Sequence, residues 1–246
     1  MKKLVLLLAL VIFSFANEKS DEFENDFDSE FGAKTTEVFD PLSGYNRLMT
    51  TFNDKVYVNV LIPISKGYAN TVPETARTGI DNFFTNLMFP VRFTNNLLQL
   101  KFQNSAEELQ RFLANTLWGF AGFADVASSD LKLKTHKEDF GQTLGFYGVG
   151  QGFHIVLPLL GPSNLRDAAG MGADSYISVL SSSGNSDLQY KIPQNFVEHA
   201  SIKTVDVVNS NSFHPEQYEV IKKDALDLYP YLRDIYTQAR DRQIEE

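Results

Sequence analysis

The sequence predicts an all-α fold, and three observations carry that prediction. Two helix starts of the Thr/Ser-x-x-Glu type stand at Thr71 with Glu74 and Ser105 with Glu108, a pattern in which a hydroxyl and a carboxylate cap each other's backbone N–H groups. Apolar residues recur at three-four spacing over most of the chain after Asp40, the period of one helix face. No stretch alternates cleanly enough to build a barrel, and no internal repeat appears.

The N-terminus reads as an export signal. Lys2 and Lys3 precede the apolar run Leu4 to Phe13, and Ser14 and Ala16 stand at −3 and −1 of a signal-peptidase site before Asn17. Residues 1–16 are therefore expected to be a cleaved signal peptide, since so short a run does not span a bilayer. Residues 17–40 hold nine acids (Glu18, Asp21, Glu22, Glu24, Asp26, Asp28, Glu30, Glu37, Asp40) against Lys19 and Lys34, a net charge of −7. Such a segment is expected to be a disordered acidic linker, leaving residues 41–246 as one helical domain.

The helices follow in order. Tyr45, Leu48, Met49, Phe52 and Val56 recur at helical spacing, whereas YVNVLIPI, residues 57–64, fits either a helix or a short strand. After Pro73, Ala76, Ile80, Phe83, Phe84, Leu87 and Met88 mark one stripe that ends before Pro90. Val91, Leu97, Leu98 and Phe102 belong to a second amphipathic piece, and only Asp81 and Arg92 are charged between Gly79 and Leu100. That low charge density suits an interfacial helix and equally a buried helical hairpin. From Ser105 a helix is expected with Ala106, Leu109, Phe112, Leu113, Leu117 and Phe120 on its inner face, and Gly119 and Gly122 permit a tight bend beyond it.

Phe140 to Leu165 carries no Lys, Arg, Asp or Glu, and its six glycines and two prolines would break a spanning helix. It is expected to fold back on itself, either inside a soluble core or as a surface that meets lipid. Beyond it Ser163 or Asn164 caps a helix whose Leu165, Ala168, Ala169, Gly172, Tyr176, Val179 and Leu180 are expected inside. Residues 181–187 read as a polar loop and 194–208 as a further helix. The tail places Tyr218, Ile221, Ala225, Leu228, Leu232, Ile235 and Ala239 in four-three spacing, with Pro230 expected to kink that helix or to start a second.

Composition narrows the chemistry. A net charge of −9 argues against nucleic acid and against electrostatic attachment to anionic lipid. Twenty Phe against one Trp point to aromatic area spent on apolar contact. With no cysteine, disulfides, thiolate metal sites and cysteine nucleophiles are excluded. His136, His154, His199 and His214 lack the spacing of a helix-borne metal pair, there is no G-x-S-x-G nucleophile elbow, and GVGQG lacks the dinucleotide spacing. Glu138, Asp139, Arg166 and Asp167 bracket the uncharged run, and an ion pair between its two ends is expected because buried charges need partners.

The words EDFGQTLG, YGVG, LPLLGPS and LRD, in this order between Glu138 and Asp167, resemble the signature of the MlaA/VacJ family of Gram-negative outer-membrane proteins. NRLMTTFND, the long stretch YVNVLIPISKGYANTVPETARTGIDNFFTNL, RFLANTLWGFAGFADVAS and YPYLRDIYTQARDRQ resemble its other segments, so the resemblance covers about Pro41 to Arg242. It favours helix for residues 57–64. It also implies a ring-like bundle of amphipathic and interfacial helices around an amphipathic channel, lodged in the periplasmic face of the outer membrane. The function it implies is maintenance of lipid asymmetry: phospholipid is withdrawn from the outer leaflet and passed to a soluble periplasmic carrier. Trimeric porins are the implied membrane partners, and no enzymatic step, cofactor or metal is implied. Many members carry an acylated cysteine that this sequence lacks, so attachment is expected to rest on the fold or a partner. Within such a channel, polar residues stranded among apolar ones are the candidates for head-group contact: Asn82, Asn86, Arg92, Asn95 and Gln142. Bonding to neighbouring helix ends accounts for the same five equally well. The competing reading is a soluble periplasmic helical module that binds a hydrophobic ligand or scaffolds an envelope complex.

Overall fold

The computed structural model describes residues 40–182 and 190–246. The expected signal with Ala16 and Asn17, the acidic linker before Asp40 and most of the 181–187 loop lie outside the described residues.

Helix α1 (Ser43–Val56) and helix α2 (Ile62–Thr71) form one rod joined by a π-helical turn, Tyr57–Leu61. Helix prevails in this ambiguous stretch because Pro63 falls in the first turn of α2, where its missing N–H is tolerated. Then come α3 (Glu74–Leu87), α4 (Phe89–Leu98) and α5 (Phe102–Leu117). The break before Pro90 lies where the sequence puts it, with Pro90 in the first turn of α4.

The two expected capping boxes are not formed. Pro73 and Lys101 occupy the N-cap positions without side-chain caps. Thr71 Oγ1 donates back to Gly67 O at 2.8 Å and Ser105 Oγ to Phe93 O at 3.0 Å. Glu108 faces inward as part of an ion pair instead. A capping box does form where it was not expected, on the short helix α7 (Phe140–Phe146), between Asp139 and Gln142. A single turn, α6 (Val126–Ser129), precedes it.

The uncharged run folds back as expected, but through a β-hairpin that the helical reading lacks. Strands β1 (His154–Leu157) and β2 (Gly161–Asn164) pair antiparallel, His154 opposite Asn164 and Leu157 opposite Gly161. A lone two-stranded ribbon is marginal in water; here side chains of α1 hydrogen-bond the free edge of β1. Asn46 accepts from Val156 N at 2.8 Å and donates to His154 O at 3.1 Å, and Asn53 holds Leu157 O and Leu159 N at 2.9 and 2.7 Å.

The chain continues as α8 (Leu165–Ile177), capped by Asn164, then α9 (Phe196–Asn211), α10 (Gln217–Lys223) and α11 (Leu228–Glu245). Pro230 lies in the first turn of a second tail helix, one of the two expected outcomes. Among the described residues no helix is long and apolar enough to cross a membrane.

What lies inside reverses the expectation. The buried apolar side chains among the described residues are Ile62, Val91, Ala114, Ala127, Val156 and Tyr229, and buried polar or charged residues outnumber them several-fold. Helix α5 buries Ser105, Glu108, Arg111 and Asn115 and turns Leu109, Leu113 and Leu117 outward, so the apolar face assigned to its interior lies outside. Helix α8 does the same, with Leu165 and Tyr176 exposed and Arg166, Asp167 and Gly170 buried. The uncharged run is likewise exposed at Phe146, Tyr147, Val149 and Leu159. The interior stands because most of its polar groups are paired: Arg92 with Glu108 at 2.7 Å, Arg111 with Asp125 at 3.0 Å, and Arg77 with Ser212 O at 2.9 Å.

Candidate functional site

A cavity of about 830 Å³ opens among α3, α4, the approach to α7, the hairpin and helices α8, α9 and α11. Local sequence explains how α8 faces it. Asn164 Oδ1 accepts from Asp167 N at 2.8 Å, which starts the helix in a phase that brings Asp167, Met171, Asp174 and Ser178 to the wall. Phe84, Met88, Leu157 and Ile202 contribute apolar patches between charged ones, so the lining is amphipathic.

The centre of the charged wall is Arg240. It holds Asp139 through both terminal nitrogens at 2.7 Å and Asp167 through Nε at 2.9 Å. Asp167 also takes hydrogen bonds from Arg166 Nε at 3.0 Å, from Asn164 Nδ2 at 2.7 Å and from the Tyr236 hydroxyl. Burial alone would push the Asp167 carboxyl up, but the donors Arg240, Tyr236 and Arg166 outweigh it and hold the group below its ordinary range. Burial likewise opposes the charge on Arg240, and the two carboxylates overcome it, raising the pKa of the guanidinium. Close packing makes this network possible. A Cβ on Gly141 would lie 2.4 Å from Asp167 Oδ1, and one on Gly170 would lie 2.5 Å from Gly141 N, so only glycine allows α7 and α8 to approach this closely here.

The charge bracket is thus assembled, but through a third residue. Glu138 pairs with Lys101 at 2.7 Å, Arg166 with its neighbour Asp167, and the two ends of the uncharged run meet on Arg240 rather than on each other. Glu138, Asp139 and Asp167 line the cavity.

Of the five lipid-path candidates, Arg92 and Gln142 line the cavity. Arg92 is committed to Glu108 and to Thr85 O at 2.7 Å, and Gln142 Oε1 accepts from Asp139 N at 2.8 Å. Asn82, Asn86 and Asn95 are not on the wall. Asn82 donates to Phe123 O at 3.3 Å and Asn86 to Thr116 Oγ1 at 3.0 Å. Asn95, fully buried, donates to Asp174 Oδ1 at 2.8 Å and accepts from Thr143 at 2.9 Å.

The sequence reading missed Arg240, Asp174 and Lys137, all on the wall. A signal for Arg240 existed: Tyr229, Arg233, Tyr236 and Arg240 repeat at four-three-four spacing, a polar stripe beside the apolar one on the same helix.

The profile of the MlaA lipoprotein family matches residues 38–243. The chain is 41% identical over 145 residues, 58% of each chain, to the intermembrane phospholipid transport system lipoprotein MlaA of Escherichia coli. It is 36% identical over 144 residues to the protein of the same description from Haemophilus influenzae, again 58% of each. An uncharacterized protein of Rickettsia bellii is 26% identical over 248 residues, 99% of this chain and 93% of that one. A chain solved to give the structural basis for maintenance of bacterial outer membrane lipid asymmetry superposes with a TM-score of 0.70 at 32% identity, over 83% of this chain and 98% of the other.

Proposed function

Because this chain belongs to the MlaA family, we propose that it is a phospholipid conduit of the bacterial outer membrane, withdrawing phospholipid from the outer leaflet and releasing it to a soluble periplasmic carrier. The observation that carries the proposal is the reversed amphipathicity: an amphipathic, charged cavity inside helices whose apolar faces point out. Leu113, Leu117, Trp118 and Phe120, exposed from 45% to 85%, would be costly in water and are favourable against acyl chains. That surface disfavours the soluble-module reading.

The cavity supplies what a head group needs on leaving water. Moving a phosphate or ammonium into an apolar interior costs several kcal/mol or more unless partners replace the lost water. Its volume falls within the range of about 300–1,000 Å³ that holds a drug-sized ligand, enough for a head group while the chains stay in lipid. Arg92 and Gln142 are the members of the original five proposed to face that path. Porin trimers and the periplasmic carrier enter as partners through the family alone. With no cysteine to acylate, the apolar exterior is proposed as the anchor, and a mature chain starting at Asn17 with no lipid adduct is the result expected from intact mass spectrometry.

The deciding experiment is complementation of a bacterium whose own MlaA gene is deleted. Expression of this chain is expected to lower surface-exposed phospholipid to the parental level, and the protein should stay with the outer membrane through high salt and leave it only in detergent. A folded, membrane-bound protein that leaves surface phospholipid high would reject the conduit.

A further inference from the structure

The cavity's charges are nearly all spent on one another. Arg92 holds Glu108, Lys101 holds Glu138, Arg240 holds Asp139 and Asp167, and Lys203 holds Asp206 at 2.7 Å. Among the described residues on the wall, one cation is left over: the exposed ammonium of Lys137 has no hydrogen-bond or ion-pair acceptor. Two acids also have no cation within ion-pairing distance. Asp81 takes only the Ser210 hydroxyl at 3.2 Å, on the wall formed by α3 and α9. Asp174 takes only neutral donors, Asn95 Nδ2 at 2.8 Å and Phe140 N at 2.9 Å.

Lys137 and Asp174 are close enough to act on one ligand. Phe140, whose N–H touches Asp174, is three residues from Lys137, and three residues span at most about 10 Å. We infer that Lys137 and Asp174 form a head-group site for a zwitterionic, amine-bearing phospholipid, with Lys137 on the phosphate and Asp174 on the primary ammonium of an ethanolamine. The inference rests on the conduit reading and adds a preference to it.

The chemistry separates this ligand from the other common phospholipid class. A glycerol head group offers the same phosphate to Lys137 but only hydroxyls to Asp174, so the carboxylate stays without a cation. Burial, aided by the charge of Asp139, raises the Asp174 pKa against the opposing pull of Phe140 N–H, Asn95 and the more distant Arg240, as expected of a buried carboxylate with no cation in contact. An ammonium brought beside it would favour the ionised form. Charge-assisted hydrogen bonds are about twice as strong as neutral ones, so discrimination belongs to Asp174 and general retention to Lys137.

The test exposes the detergent-purified full chain to vesicles of equal phosphatidylethanolamine and phosphatidylglycerol, re-purifies it, and counts retained lipid by mass spectrometry. The wild type is expected to retain an excess of phosphatidylethanolamine of about tenfold, which Asp174→Asn should collapse towards the supplied ratio. Lys137→Gln, at an exposed position that leaves the fold intact, is expected to lower retention of both lipids alike. A wild type that holds both lipids in the supplied ratio, or a folded Lys137→Gln that retains as much as wild type, overturns the site while leaving the conduit standing. A wild type that retains no phospholipid rejects the site together with the reading beneath it.

Discussion

Glu108 has no exposed surface, and its carboxylate is divided between Arg92 at 2.7 Å and the backbone N–H of His136 at 2.6 Å. Removing one partner of such a pair strands the other charge away from water, a loss of about 3–5 kcal/mol. Glu108→Ala should therefore destabilise by that amount, whereas Arg92→Met combined with Glu108→Leu should recover part of it, because the stranded charge is gone while the His136 N–H and the Thr85 carbonyl still lose their partners. Denaturant titration in detergent decides, and equal losses in the single and double variants would show that the pair is not the cause. Asp167 and Asp174 give the pH dependence opposite signs. The folded pKa of Asp167 is depressed, so its contribution is fully present above its unfolded value near 4 and is lost as pH falls through the lower folded one. That of Asp174 is raised, so the fold favours its protonated form and a penalty appears as pH rises through the raised value. Asp167→Asn is expected to flatten the acid limb of a stability curve measured from about pH 2 to 7, and an unchanged limb would assign acid sensitivity to another group.

Each helix carries two stripes with the same period, and only one of them was read as an inner face. On α5 Leu109, Leu113 and Leu117 repeat every four residues, while Glu108, Arg111 and Asn115 repeat at three-four spacing beside them. Periodicity fixes that both exist and where the helix runs, which is why α3, the break before Pro90 and the tail helices were legible. It does not fix which stripe faces in, since that depends on whether the surroundings are water or lipid. The hairpin escaped for another reason: β1 gains its edge bonds from Asn46 and Asn53, about a hundred residues earlier, and no local pattern reports such a partner. The Arg240 network escaped likewise, joining positions 139, 167 and 240. The outward stripe makes its own prediction. Leu113→Lys with Leu117→Lys changes positions 45% and 67% exposed, so the fold in detergent should shift by only about 0.5 kcal/mol per site. Retention in the membrane should fall sharply, because charge on a lipid-facing stripe is expensive. Unchanged retention after high-salt washing would take α5 off the membrane-facing surface.

At the scale of the molecule, two structural devices let polar stripes meet. The π-helical turn at Tyr57–Leu61 rotates α2 relative to α1, so that α1 packs against β1 and α11 while α2 packs against α9. The Gly141–Gly170 contact brings α7 and α8 close enough for Arg240 to reach carboxylates beside both. What these devices enclose is mostly amide, hydroxyl and charge, and that has a calorimetric consequence. Newly hydrated apolar surface raises the heat capacity of unfolding, whereas newly hydrated polar surface lowers it. A chain with few buried apolar side chains should therefore show, in detergent, a heat-capacity increment well below the usual ~12–15 cal/mol/K per residue. Its stability curve would then be broad and shallow, with little loss on cooling, and scanning calorimetry that returned the ordinary increment would mean that an apolar core of normal size exists. In an envelope whose temperature follows its surroundings, the fold's stability would thereby change little between cold and warmth.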